Sequence, residues 1–152
     1  VITTFFVDGK SAPKGSTFSF KNKKGKIITM QEGSKKLYAW QDAIGYVAKQ
    51  NGVQVSDGAI HLKLNFFMLP PNKSKYWFPP RPDLDKLCRS CLDALSGVAY
   101  ADDFQVVSIQ ATKQYSTHRS GVAITIQTIT EEELWQEREK PPSQAGLNLS
   151  MS

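Results

Sequence analysis

The sequence predicts a single α/β (α+β) domain, and two observations carry that expectation. Stretches in which apolar and polar residues alternate, the period of a β-strand, are interleaved with stretches in which apolar residues recur every three or four positions, the period of a helix. The chain has 152 residues, 40% of them apolar, which is enough to bury a real core. No apolar run is long enough to cross a bilayer, and the first residues lack the basic, apolar and cleavage-site regions of a signal peptide. A soluble, cytoplasmic protein is therefore expected, with its domain over residues 1–140 and a flexible tail over 141–152. The net charge of +5 and a pI near 9.2 suit a polyanionic partner.

Ile2 to Val7 is rich in β-branched and aromatic residues and closes at Asp8-Gly9, a strand followed by a turn. From Lys10 to Lys36 the chain carries a run of lysines against the single acid Glu32. Phe18 and Phe20 before Lys24-Gly25, with Ile27 and Ile28 after it, suggest a hairpin that projects Lys23 and Lys24. The hairpin reads equally as a nucleic-acid contact and as a solvated loop. Ser34, after Gly33, has the character of an N-cap, and Leu37, Trp40, Ile44, Val47 and Ala48 continue at helical spacing until Asn51-Gly52. Ile60, Leu62, Leu64, Phe66 and Met68 then alternate with polar residues, a half-buried strand ending near Leu69.

Between Pro70 and Pro82 the prolines keep the chain extended, with Lys73, Lys75, Tyr76, Trp77 and Arg81 among them. Such a long connection either grips phosphates and stacks on an exposed base, or folds Trp77 and Phe78 back onto the core. Leu84, Leu87, Cys88, Cys91, Leu92 and Leu95 mark a helix that Gly97 can terminate. Phe104 to Tyr115 and Val122 to Ile129 read as two strands joined around residues 116–121 as a hairpin. Thr130 and Glu133 form a capping-box pattern opening a short acidic helix that stops before Pro141-Pro142. Cys88 and Cys91 have redox-motif spacing, but they fall on the apolar stripe of a helix and nothing completes a metal set, so they read as reduced core thiols. His61 and His118 read as structural or solvated.

Within this basic chain, residues 81–103 gather Asp83, Asp85, Asp93, Asp102 and Asp103. In a regular helix Asp83 and Asp85 would stand about 200° apart, whereas a chain still extended at Asp83-Leu84-Asp85 would point both the same way. Asp102 and Asp103 precede a strand whose neighbouring residues face opposite sides, so one of them joins the cluster and the other is a turn or cap residue. Two unit charges about 4 Å apart repel by about 4 kcal/mol at an effective dielectric of 20. A hard divalent cation is the natural counter-charge, and oxygen-only ligands favour Mg²⁺ or Mn²⁺. Such ions activate water and stabilise charge on a scissile phosphate. Arg89 follows Asp85 by one helical turn, where it can support a carboxylate or neutralise the phosphate, and Asp93, one row further, is placed to pair with Arg89. The same aspartates read alternatively as ordinary caps and turn residues.

The run Arg81-Pro82-Asp83-Leu84-Asp85-Lys86-Leu87, the stretch from Leu92 to Val107 and the opening from Val7 to Gly15 together resemble the RusA family of Holliday-junction resolvases, especially its phage-type members. The resemblance implies a small mixed β-sheet packed with helices, a homodimer, and a Mg²⁺- or Mn²⁺-dependent endodeoxyribonuclease that resolves four-way DNA junctions by paired nicks. It places Asp83 and Asp85 on the family's Asp-x-Asp pair and Asp103 on its third carboxylate, with Asp102 the neighbouring candidate ligand. The family prototype's functional lysine falls on Arg89, a departure that keeps the charge but not a proton that can be exchanged. Lys86 stands where the prototype has asparagine, and Lys113 matches a basic position common in the family. Lys14, Lys23, Lys24, Lys73, Lys75, Arg81, Lys86 and Lys113 are the expected DNA contacts. The alternatives are a metal-dependent nuclease for flaps and other branched DNA, and a non-catalytic protein that binds junctions or single strands.

Overall fold

The computed structural model describes residues 1–15, 17–31 and 34–147. The strands are β1 (Ile2–Asp8), β2 (Thr17–Lys21), β3 (Ile27–Gln31), β4 (Ala59–Met68), β5 (Val106–Tyr115) and β6 (Gly121–Ile129), and the helices are α1 (Ser34–Gln50), α2 (Leu84–Leu95) and α3 (Glu131–Arg138). A 3-10 turn, Asp103–Gln105, leads into β5. The main sheet has the order β1-β6-β4-β5, and β2 and β3 form a separate hairpin. β6 runs antiparallel to both β1 and β4, while β5 runs parallel to β4, so the sheet is mixed, as the resemblance implied.

One expectation is overturned here: β5 and β6 are not a hairpin, because β4 lies between them. β4 is the most apolar strand, with Ile60, Leu62, Leu64 and Phe66 fully buried, and it takes the centre of the sheet. Parallel neighbours need a long crossover, which α2 and its flanking loops supply between β4 and β5. Residues 116–120 then step across one strand, roughly 10 Å, well within reach at about 3.3 Å per residue. Gly121, at φ +146°, makes that step possible: a Cβ there would collide with the Val7 carbonyl and the Phe6 ring.

α1 packs against α2 and β1, and α2 also meets β5. Their apolar stripes, Leu37, Trp40, Ile44 and Ala48 from α1 and Leu87, Cys91 and Leu95 from α2, join Phe5, Val7, Val122 and Ile124 of the sheet in one core. The alternate residues of the sheet form polar cross-strand pairs, Thr4 with Thr125 at 3.1 Å, His61 with Ser108 at 2.8 Å and Thr112 with Asn65 at 2.9 Å. His61 is thus structural, and burial, helped by Lys63, holds its pKa below the ordinary value. Burial likewise pushes the Cys91 thiol far up, which fits a core thiol. The capping box of α3 is present: Glu133 donates its N–H to Thr130 Oγ1 at 3.3 Å, and Thr130 its own to Glu133 Oε2 at 2.8 Å. Of the tail, residues 141–147 turn back so that the Gly146 N–H reaches Glu137 Oε2 at 2.9 Å. The remaining tail residues, 148–152, and the capping of α1 by the Ser34 side chain, with Gly33 and Glu32 before it, lie outside what is described.

Candidate active site

Asp83 is the N-cap residue of α2, extended at φ −64° and ψ 138°, and its carbonyl accepts the Leu87 N–H at 3.1 Å. Leu84 already belongs to the helix, so Asp85 lies in the first turn and the extended geometry stops at Asp83. The Asp83 carboxylate caps nothing. Instead it accepts from Arg81 Nη1 at 2.9 Å and pairs with Lys86 Nζ at 3.4 Å. Lys86 foremost, then the charges of Arg81 and Lys113, hold its pKa below the usual carboxylate value against the opposing effect of burial. Asp85 is exposed and, among the described residues, takes part in no ion pair; the same is true of Arg89.

Beyond the other end of α2, the chain turns at Gly97, and the buried Tyr100 donates its hydroxyl to the Leu92 carbonyl at 2.7 Å. Gln105 fixes the loop that follows. Its Oε1 accepts from the N–H groups of Ala101 at 2.8 Å and Asp102 at 3.2 Å, and its Nε2 donates to the carbonyls of Ser56 at 2.8 Å and Gly58 at 2.9 Å. Asp102 is the cap of the 3-10 turn, accepting from the Phe104 N–H at 3.4 Å, and Asp103 is the turn's first residue. Of the two aspartates, Asp102 thus takes the capping role. Asp103 has its pKa raised, first by its hydrogen bond with Asp102, then by burial and by the charges of Asp102 and Asp93, against Lys14.

One sequence expectation is corrected at this end: Asp93 pairs not with Arg89 but with Lys14, an expected DNA contact. Its backbone explains the choice: the Lys14 N–H donates to the Lys86 carbonyl at 3.0 Å, laying the Pro13-Lys14-Gly15 segment along α2 where no sequence pattern could place it. Lys113 is also engaged, its Nζ donating to the carbonyls of Pro80 at 3.4 Å and Pro82 at 3.0 Å, so it ties β5 to the proline-rich connection.

That connection does not fold back onto the core. Trp77 is 89% exposed and meets Phe78 edge to face at 5.2 Å, while Tyr76 lies 5.3 Å from Phe78, and the Lys75 ammonium stands 5.7 Å from the Tyr76 ring. Lys73 and Lys75 are exposed beside these rings, and Lys23 and Lys24 are exposed at the tip of the β2–β3 hairpin, whose turn Asn22 holds by accepting the N–H groups of Lys24 and Lys26 at 2.9 and 3.0 Å.

The carboxylate donors of Asp83, Asp85 and Asp103 suit a hard divalent ion, and the raised pKa of Asp103 marks negative charge that lacks a sufficient partner. Among the described residues no three His, Cys, Asp or Glu side chains are gathered closely enough to hold one. The sequence reading missed Gln105, although Asp102-x-x-Gln105 has capping-box spacing. It also missed a cleft of about 910 Å³ bounded by residues 8–15, α1 and the residues around Asp83, for which no motif exists.

The family model described as Endodeoxyribonuclease RusA matches residues 11–127, which takes in the whole of α2, both carboxylate ends and most of the sheet. No curated protein matches the chain.

Proposed function

The chain belongs to the RusA family and is a structure-specific endodeoxyribonuclease of Holliday junctions, and from that premise we propose how it cuts: as a homodimer, with a divalent metal, by paired symmetric nicks. Asp83, Asp85 and Asp103 would hold Mg²⁺ or Mn²⁺, with Asp102 beside them; when bound, the ion supplies an activated water and charge stabilisation at the scissile phosphate. The residues of the chain do the rest. Arg81 and Lys86 bring positive charge to the edge of Asp83, where a phosphate must arrive, and Lys113 sets the proline-rich connection at the right distance from α2. Arg89, exposed one turn after Asp85, is free to neutralise phosphate but not to exchange a proton. The exposed Lys23, Lys24, Lys73 and Lys75 add sequence-independent phosphate contacts, and Trp77 offers an uncovered ring for an unstacked base. Two-fold symmetry follows from the substrate, since paired cuts across a junction are most simply made by two copies of one site. The work belongs in the cytoplasm, in recombination and repair.

The observation that carries this reading is the matched α2 segment, whose first carboxylate is already ringed by cations. Its test is cleavage of an end-labelled immobile four-way junction in Mg²⁺, beside linear duplex and flap DNA, with Asp83→Asn as control. Paired nicks confined to the junction and lost in the variant are expected. Equal cutting of flaps would make the protein a general branched-DNA nuclease, and binding without cleavage in either metal would remove the catalytic assignment.

A further inference from the structure

The cleft beside Asp83 combines apolar walls with cations. Its volume is about 910 Å³, at the upper end of the range typical of pockets that enclose small molecules and far too small for a duplex. Pro13, Ala39, Trp40 and Ala43 give it an apolar wall, suited to the faces of a planar ring. Lys10 and Lys36, both exposed, also line it, and among the described residues neither is in an ion pair. Two buried polar atoms in the lining residues, Ser11 Oγ and Trp40 Nε1, have no hydrogen-bond partner among the described residues.

We infer that this cleft takes up one unstacked nucleotide of the strand being cut, its base against the wall of Pro13, Ala39, Trp40 and Ala43 and its phosphates on Lys10 and Lys36. Apolar walls with surplus cations complement a nucleotide, whose flat base covers the wall while its phosphates meet the cations. The cleft would then set which nucleotide is preferred beside the cut, while phosphates and junction shape set where the protein binds. This rests on Asp83 as the centre of cleavage.

The test places 2-aminopurine at each position flanking the crossover of a four-way junction and follows its fluorescence on binding in metal-free buffer, where nothing is cut. Wild-type protein is expected to raise the signal at one position. Ala39→Phe, which fills the cleft from an exposed helical site, is expected to abolish that rise at protein concentrations that saturate the junction. No rise at any position, or a rise untouched by Ala39→Phe, overturns the inference. So does a change of oligomeric state in Ala39→Phe, which would make the cleft a subunit interface. Because the fluorescence is read without metal, failure of the cleavage assignment shows separately, as wild-type protein that lifts the base but never cuts.

Discussion

At one end of α2, Asp83 is met by Arg81 at 2.9 Å and Lys86 at 3.4 Å and feels Lys113 beyond them; past the other end, Asp103 faces Asp102 and Asp93, with Lys14 drawn between the two sides. In sequence these aspartates look like one acidic cluster. In the fold they are two half-sites of opposite character, one oversupplied with positive charge and one short of it. An added divalent ion gains most from the second, while an arriving phosphate gains most from the first. A single helix, about 18 Å long, thus runs from the end richer in positive charge toward the end richer in negative charge.

The contrast is broken most severely by removing its acids. Asp103→Asn and Asp83→Asn should each lower the rate of junction cleavage by at least about 10²–10³-fold, the usual cost of losing a group that stabilises developing charge. Their binding should differ: in a metal-free mobility-shift assay Asp83→Asn should hold the junction slightly more tightly, because Arg81 and Lys86 are released to phosphate. Equal behaviour of the two variants in that assay would dissolve the distinction between the half-sites.

Next in size is Gln105→Leu. It strands two N–H groups and two carbonyls around a buried position, and chemical denaturation should show a loss of about 2–4 kcal/mol. A loss under 0.5 kcal/mol, about the scatter of surface substitutions, would show that the Asp102–Asp103 loop has another support. Smaller again is Lys14→Met, which keeps the stem and deletes the ammonium beside Asp93. Isothermal titration should find Mg²⁺ or Mn²⁺ bound a few fold more tightly, since a competing cation has gone. Weaker metal binding would mean that Lys14 instead holds the carboxylates in place.

The subtlest difference is in the pH dependence of melting. Asp83 has a depressed folded pKa, so its ionised form stabilises the native state above the unfolded value near 4, and this is lost as pH falls through the folded value. Asp103 has a raised folded pKa, so its ionisation costs the native state as pH climbs from about 4 through that raised value. At pH 7 Asp83→Asn should therefore melt lower than wild type and Asp103→Asn higher, with both differences fading below about pH 4. Calorimetric scans at the two pH values check this, and matching signs would contradict it.

Strands and helices were legible because burial imposes a period: β4 alternates and α2 repeats every three or four residues, whatever their partners. Pairing was not legible. Whether β5 turns back on β6 or crosses to β4 depends on which strand claims the centre, and that competition is settled by the whole sheet. The candidate site divides the same way. Asp83 and the cap role in the Asp102-Asp103 pair follow from local chemistry, whereas Lys14 and Asp93 lie 79 positions apart and meet only because a backbone bond to Lys86 draws the two segments together. Trp77 was undecided in sequence because an aromatic residue between prolines serves a core and a ligand equally well; its exposure decides for the surface.

The register that sets Ile2 opposite Gln127 gives the chain a timetable. β1 is synthesised before the other strands described here, yet it waits for β6 before it has a neighbour in the sheet, and such distant pairings are slow to form. β4, α2 and β5 are consecutive and can assemble early, so the segment that carries the acids has its platform before the opening strand is fastened and the segment behind it is drawn against α1. A nascent chain would on this account hold its carboxylates without a finished cleft. Pulsed hydrogen exchange during refolding would show it as protection of β4 and β5 amides ahead of those in β1; simultaneous protection would mean that the sheet closes in one step.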